Sequence, residues 1–220
     1  MPPTLIIIGI ACFMGAIVVW GILDSRRTIK RIATTLRELG FRVQALPPRR
    51  ERTAAHRRFN GFKKHYHAAT SLRVLADRSE PSLELEAAVS IRSSKNGQWI
   101  DVLIAAEIDR NDPIPRIEIG PKGSASKLFD KTGLSAPPMT HGELFTARDI
   151  SCEDPVQLEQ IATDTFQAAI LSGLEEDHWI LENQDDSLRI MLHRPSVGGS
   201  RHALGAMIKD LTNVANSLAI

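Results

Sequence analysis

Residues 83–108 read LELEAAVSIRSSKNGQWIDVLIAAEI, and this stretch decides the fold. Two strand-like runs, Leu83 to Arg92 and Gln98 to Ile108, flank the separator Ser93-Ser94-Lys95-Asn96-Gly97. Asn-Gly tolerates the positive φ angles of a tight hairpin turn, so the two runs pair as antiparallel neighbours. Ala69 to Ala76 upstream reads as a further strand, and Arg116 to Ile119 downstream as another, closed by Gly120-Pro121. Strands that follow one another without intervening helices predict an antiparallel meander, not a parallel α/β sheet.

Towards the C-terminus, a polar stretch with Gly123, Gly133 and Pro137-Pro138 marks a candidate sub-boundary near residues 121–142. Leu144 to Ile150 reads as a short strand. Asp154-Pro155-Val156-Gln157 is a helix start: Asp caps, Pro takes the first helical position and Gln completes a capping box. The helix behind it is expected to bury Leu158, Ile161, Thr165, Ala169 and Ile170, with Phe166 alongside, and to stop near Gly173. Trp179 to Glu182 and Ser187 to His193 form a second hairpin, turning through Asn183 to Asp186. Ser200 caps a last helix, Arg201 to Ala219, whose apolar stripe runs from Leu204 through Met207, Leu211 and Val214 to Leu218. Strands grouped together with helices packed on them give an α+β class, with a mainly antiparallel sheet.

Towards the N-terminus, Asp24 to Leu39 has Ile29, Ile32, Leu36 and Leu39 at helical spacing, and Gly40 suits its C-terminal stop. Phe41 to Leu46 alternates like a strand and ends at Pro47-Pro48. Arg50 to Phe59 reads as a basic helical piece. Ahead of all this lies Leu5 to Leu23, LIIIGIACFMGAIVVWGIL, nineteen residues without a charge. As a helix it spans roughly 28 Å, close to the hydrocarbon thickness of a bilayer. A cleavable signal peptide would need a basic leader, a shorter apolar run and a small-x-small cleavage site, and none is present. A buried core helix would not be so uniformly apolar. The expected organisation is a transmembrane anchor at 1–23, a juxtamembrane amphipathic helix at 24–40 and an α+β domain at 41–220.

Charge sets the orientation. Arg26, Arg27, Lys30 and Arg31 follow the apolar run at once, whereas only MPPT precedes it, so the N-terminus points out and the body lies in the cytoplasm. The net charge of +1 hides a split. Residues 24–78 hold fifteen Lys and Arg against four Asp and Glu; residues 79–220 hold twelve against twenty-two. Anionic headgroups attract juxtamembrane cations by about 1 kcal/mol each. Arg26, Arg27, Lys30, Arg31, Arg49, Arg50 and Arg52 are therefore the candidate lipid contacts. Nucleic acid is disfavoured, because no aromatic platform is interleaved with the cations. The two cysteines, Cys12 and Cys152, fall in the anchor and the body and form no disulfide framework, in keeping with a reducing compartment.

Few residues suggest chemistry. His65 and His67 would share one face of a strand and could ligate a metal, with His141 or Glu143 as a third ligand. The surrounding Lys and Arg disfavour a dication there. Asp101, Glu107, Asp109 and Asp112 read as solvent-face charges beside Val102, Ile104 and Ala106. The glycines of Pro195 to Ser200 match neither the Walker nor the Rossmann spacing. No Gly-x-Ser-x-Gly, Cys–His or kinase motif occurs. No catalytic residue, metal or cofactor is assigned.

The order of these features carries a resemblance. An apolar anchor, Glu38-Leu39-Gly40-Phe41-Arg42 after a basic helix, a strand meander, Ile114-Pro115-Arg116-Ile117-Glu118-Ile119 and Glu143-Leu144-Phe145 succeed one another. In this order the chain resembles uncharacterised bacterial single-pass membrane proteins that carry a cytoplasmic domain of unknown function. The resemblance implies a bacterial inner-membrane setting and brings no catalytic residue with it. The expected function is a membrane-anchored binding or scaffold domain. Its partners would be the anionic inner leaflet, another membrane protein or a second copy of itself. The alternative is a membrane-tethered hydrolase or metal-dependent enzyme built on His65, His67 and His141.

Overall fold

Alternating apolar residues form strands here because each strand has one face against helices, and the chain joins eight of them into one antiparallel sheet. The computed structural model describes residues 19, 23–46, 72–80, 83–94, 97–109, 112–123, 143–184, 187–195 and 200–218. Helix α1 covers residues 23–38. Then come β1 (Arg42–Gln44), β2 (Leu72–Glu80), β3 (Leu83–Ser94), β4 (Gly97–Asp109) and β5 (Ile117–Pro121). After these follow α2 (Glu143–Ala147), β6 (Arg148–Cys152), α3 (Pro155–Ile161), α4 (Asp164–Leu171), β7 (His178–Gln184), β8 (Ser187–Arg194) and α5 (Arg201–Leu218). The strand order is β1-β2-β3-β4-β8-β7-β5-β6. The meander and the second hairpin are thus joined at the sheet centre, where β4 pairs with β8 from Val102↔Arg194 to Asp109↔Ser187.

The helix-bearing face holds the main core. Val102, Ile104 and Ala106 of β4 meet Ile190 and Leu192 of β8, under α5. The α5 stripe is buried from Leu204 through Met207, Leu211 and Val214 to Leu218, each such side chain contributing roughly 1.5–3 kcal/mol. Ser200 Oγ accepts from Ala203 N at 3.1 Å, the cap that its place before the helix called for.

At the other side of this face, α1 docks through Ile32 and Leu36, both fully buried. Its end is a Schellman turn. Gly40 sits at φ 87°, its N–H donates to Arg37 O at 3.0 Å, and Phe41 N donates to Leu36 O at 2.9 Å. Arg78 reaches from β2 to donate to Leu39 O at 2.7 Å, so the helix end is tied to the sheet. β1 begins two residues after Gly40.

Several expectations need correction. Leu144 to Ile150 is not one strand: Glu143–Ala147 is a helical turn, and β6 begins only at Arg148. Leu144 is fully buried in both readings, so apolar pattern alone could not separate them. The helix after Asp154 is two helices. Asp154 Oδ1 accepts from Val156 N and Gln157 N at 2.9 and 3.3 Å as expected. Thr163 then caps a second start, accepting from Phe166 N at 3.3 Å, and Gln167 Nε2 donates to the Ala162 carbonyl at 2.8 Å. The break turns Thr165 outward and leaves Phe166 and Ile170 as the buried pair. Asp101 is 1% exposed, so it is no solvent-face charge.

No helix among the described residues is long and apolar enough to cross a membrane. Apart from Val19 and Leu23, the expected anchor lies outside the described residues.

Candidate functional site

The basic face of α1 follows directly from its helical phase. With Ile29, Ile32, Ala33 and Leu36 turned to the core, Arg26, Arg27, Lys30 and Arg31 emerge on the opposite side, and all four are exposed. Arg37 continues the same face one turn before the Schellman end. The apolar stripe of α1 is occupied by its own domain. Beyond Leu23 the exposed face of α1 therefore offers cations and not large apolar side chains. The other candidate lipid contacts, Arg49, Arg50 and Arg52, lie outside the described residues, as do His65, His67 and His141. Among the described residues no group of three His, Cys, Asp or Glu could hold a metal.

The second face of the sheet carries polar groups that sequence reading passed over. A small apolar cluster, Leu72, Ala88, Leu103, Ala105, Ile180 and Met191, lies at its centre. Leu72 and Leu75 share this face despite an odd spacing, because a β-bulge at Arg73 adds one residue to β2. Beside the cluster, His193 Nε2 lies 3.4 Å from Asp101 Oδ1, and the His178 ring centroid is 6.0 Å from that of His193. Ser90 is the register partner of Asp101, yet its buried Oγ finds no hydrogen-bond partner among the described residues. A nucleophilic serine would need to be hydrogen-bonded to a base and open to substrate. Ser90 is neither; with Asp101 and His193 it forms an enclosed polar patch.

Further along the same face the charges are paired. Arg189 donates to Glu86 at 2.6 Å and lies 3.6 Å from Glu107. Arg116 bridges Glu118 at 2.8 Å and Glu182 at 3.1 Å. Burial pushes the Glu182 carboxyl up, and Arg116 offsets this in part. At the edge, a hydrogen bond from Arg42 holds Asp77 below the usual carboxylate range.

Two arginines lie inside the helix-bearing half. Arg194 is held by Asp177 and Asp210; burial works to lower its pKa, but these hydrogen bonds outweigh it and raise the value above normal. Arg148 donates to the carbonyls of Glu175 and Leu174, and burial lowers its pKa. It borders a cavity of about 590 Å³ with Lys122, Glu143, Glu175 and Glu176 on the rim. The mixed charges of that rim select no ligand. Cys152 is buried, which pushes its thiol up and makes it a poor nucleophile.

The signal for the buried polar groups was present only in part. Asp101 interrupts a run, Trp99 to Ala106, that is apolar on both parities, as in a strand covered on both faces. Arg194 and Asp177 are sixteen or more residues from Asp210 and meet it only through the fold. The chain matches no protein-family model and none of the curated proteins with which it was compared.

Proposed function

We propose that this chain is a membrane-anchored binding domain of the bacterial inner membrane. Residues 5–23 hold it in the bilayer, the N-terminus faces out, and the α+β body works in the cytoplasm on a protein partner close to the anionic leaflet. The observation that supports this reading is the two-sidedness of α1. Its apolar stripe is fixed to the core through Ile32 and Leu36, while Arg26, Arg27, Lys30 and Arg31 stay exposed directly after the apolar run. Cations in that position both retain the flank on the cytoplasmic side and attract anionic headgroups. The sheet faces carry paired charges and enclosed polar groups, which suit recognition and stability better than bond-breaking.

The test uses the full chain with a C-terminal alkaline phosphatase, which is active only outside the cytoplasm. The fusion should sediment with membranes after alkaline carbonate extraction and be enzymatically silent. Changing Arg26, Arg27, Lys30 and Arg31 together to Gln should switch on phosphatase activity in a measurable fraction of molecules. Release by carbonate, or activity in the unaltered fusion, would refute the reading.

A further inference from the structure

Among the described residues three arginines are buried, and two of them have carboxylate partners. Arg189 pairs with Glu86 at 2.6 Å; Arg194 pairs with Asp177 at 2.6 Å and with Asp210 at 2.8 Å. Arg148 is buried as deeply as Arg194, each with 4% exposure, yet it pairs with no carboxylate. Its hydrogen bonds run to the backbone carbonyls of Glu175 and Leu174. A guanidinium carries five N–H donors, so the two carbonyls occupy part of the fork and supply no counter-charge. Burial is the largest influence on Arg148 and lowers its pKa; Asp177, Glu175 and Glu176 oppose it from beyond contact distance.

That charge lies against the cavity of about 590 Å³ described above, a volume within the usual range of small-molecule sites. Four pieces of chain meet there: the end of β5 at Pro121, helix α2, the start of β6, and the turn from α4 to β7. Pro121, Ala147 and Leu171 contribute apolar surface. Glu143, Glu175 and Glu176 are exposed at the rim, and none of them forms an ion pair among the described residues. Lys122 is turned elsewhere, donating to Phe145 O at 3.5 Å and lying 3.9 Å from Asp149.

The rim by itself selects no ligand, but the buried guanidinium narrows the choice. A desolvated cation without a counter-ion is costly, and a carboxylate can meet its planar fork with two parallel hydrogen bonds. A plain anion, however, would be repelled by the three glutamates at the entrance. A plain cation would suit those glutamates and be repelled by Arg148. A molecule with a carboxylate at one end and an ammonium at the other meets both charges with the right sign.

We propose that this cavity binds a small zwitterion, a free amino acid or a dipeptide, with its carboxylate on Arg148 and its ammonium among Glu143, Glu175 and Glu176. The apolar walls favour an apolar side chain. Occupation supplies the counter-charge that Arg148 lacks and ties α2 to the α4–β7 turn. The site stands apart from α1 and does not depend on the anchored reading.

The experiment uses the full chain in detergent and follows binding by isothermal titration. The probes are the protein amino acids and the dipeptide leucylalanine; each probe that binds is compared with its N-acetyl form and its C-terminal amide. At least one probe should saturate the protein at millimolar concentration or below, and removal of either charge should weaken it about tenfold or more. Arg148→Gln should abolish binding. Glu143→Gln, Glu175→Gln and Glu176→Gln together alter only exposed side chains, so the fold should survive them. That triple variant should bind the zwitterion about tenfold more weakly and the N-acetyl form more tightly than the unaltered protein does. It decides the matter even where Arg148→Gln fails to fold. Absence of saturable binding by every probe overturns the proposal, as does binding that neither N-acetylation nor the triple variant weakens.

Discussion

Both carboxylate oxygens of Asp177 hold the guanidinium of Arg194, at 2.7 Å to Nε and 2.6 Å to Nη2, in a site where Asp177 has no solvent exposure. Asp210 of α5 adds a third contact at 2.8 Å. The group joins the end of β8, the turn before β7 and the last helix. Gly173 belongs to the same arrangement: a Cβ there would meet Asp177 Oδ2 at 2.7 Å. Removing one member leaves an uncompensated buried charge, which costs about 3–5 kcal/mol. Asp177→Ala should lower the unfolding free energy measured in urea by that amount. Asp210→Ala should cost clearly less, because Asp210 is the more exposed carboxylate and Arg194 keeps both of its contacts to Asp177. Equal losses would show that the network does not depend on Asp177.

Gly40 gives a second prediction. Its φ of 87° is a left-handed conformation that L side chains adopt at a cost of about 1–2 kcal/mol. A Cβ there would lie 3.6 Å from Arg78 Nε, which is ordinary contact, so the penalty is backbone strain alone. Gly40→Ala should therefore destabilise by about 1–2 kcal/mol in chemical denaturation, and Gly40→Asn by less, because Asn visits this region more readily.

Ser90 supplies the opposite sign. Its hydroxyl is enclosed and finds no hydrogen-bond partner among the described residues, a burial that costs on the order of 1 kcal/mol or more. Ser90→Ala should leave the thermal midpoint unchanged or raise it by a few degrees. A clear fall would mean that the hydroxyl has a role the static contacts do not convey.

The pH dependence should also have two signs. Burial raises the Glu182 carboxyl above its ordinary 4.5, so the folded state holds that proton more tightly than the unfolded chain. Its contribution to stability is complete below the unfolded value and declines as pH rises above about 4.5. Asp77 behaves in reverse. Arg42 lowers it below 3.8, and its contribution is present above that value and is lost as pH falls through the folded pKa. Denaturation between pH 3 and 7 should therefore show Glu182→Gln gaining on the unaltered protein as pH rises, and Asp77→Asn losing ground.

The parts legible in the sequence were those governed by local pattern. The meander around Asn96-Gly97, the Ser187 hairpin, the Asp154 cap and the α5 stripe rest on spacing within a dozen residues. The rest depended on contacts the chain makes at a distance. Thr163 restarts a helix without any Gly or Pro to announce it. The bulge at Arg73 moves Leu72 to the face of Leu75, which strict alternation forbids. The insertion of β8 beside β4, and so the meeting of Asp101 with His193, has no local signature. Of the candidate site, the phase of α1 was readable and placed its cations outward; the polar patch on the second face was not.

The pairing of β4 with β8 has a practical consequence. The two strands lie on opposite sides of residues 124–142 in the chain, yet they are hydrogen-bonded neighbours over eight register pairs. A cut within that interval would give two fragments, each with an unsatisfied central strand and each the natural complement of the other. Expressed together, such fragments should reassemble, one bringing the basic helix and the meander, the other the second hairpin and α5. The chain thus lends itself to splitting, and recovery of the fold itself would report that the two pieces have met.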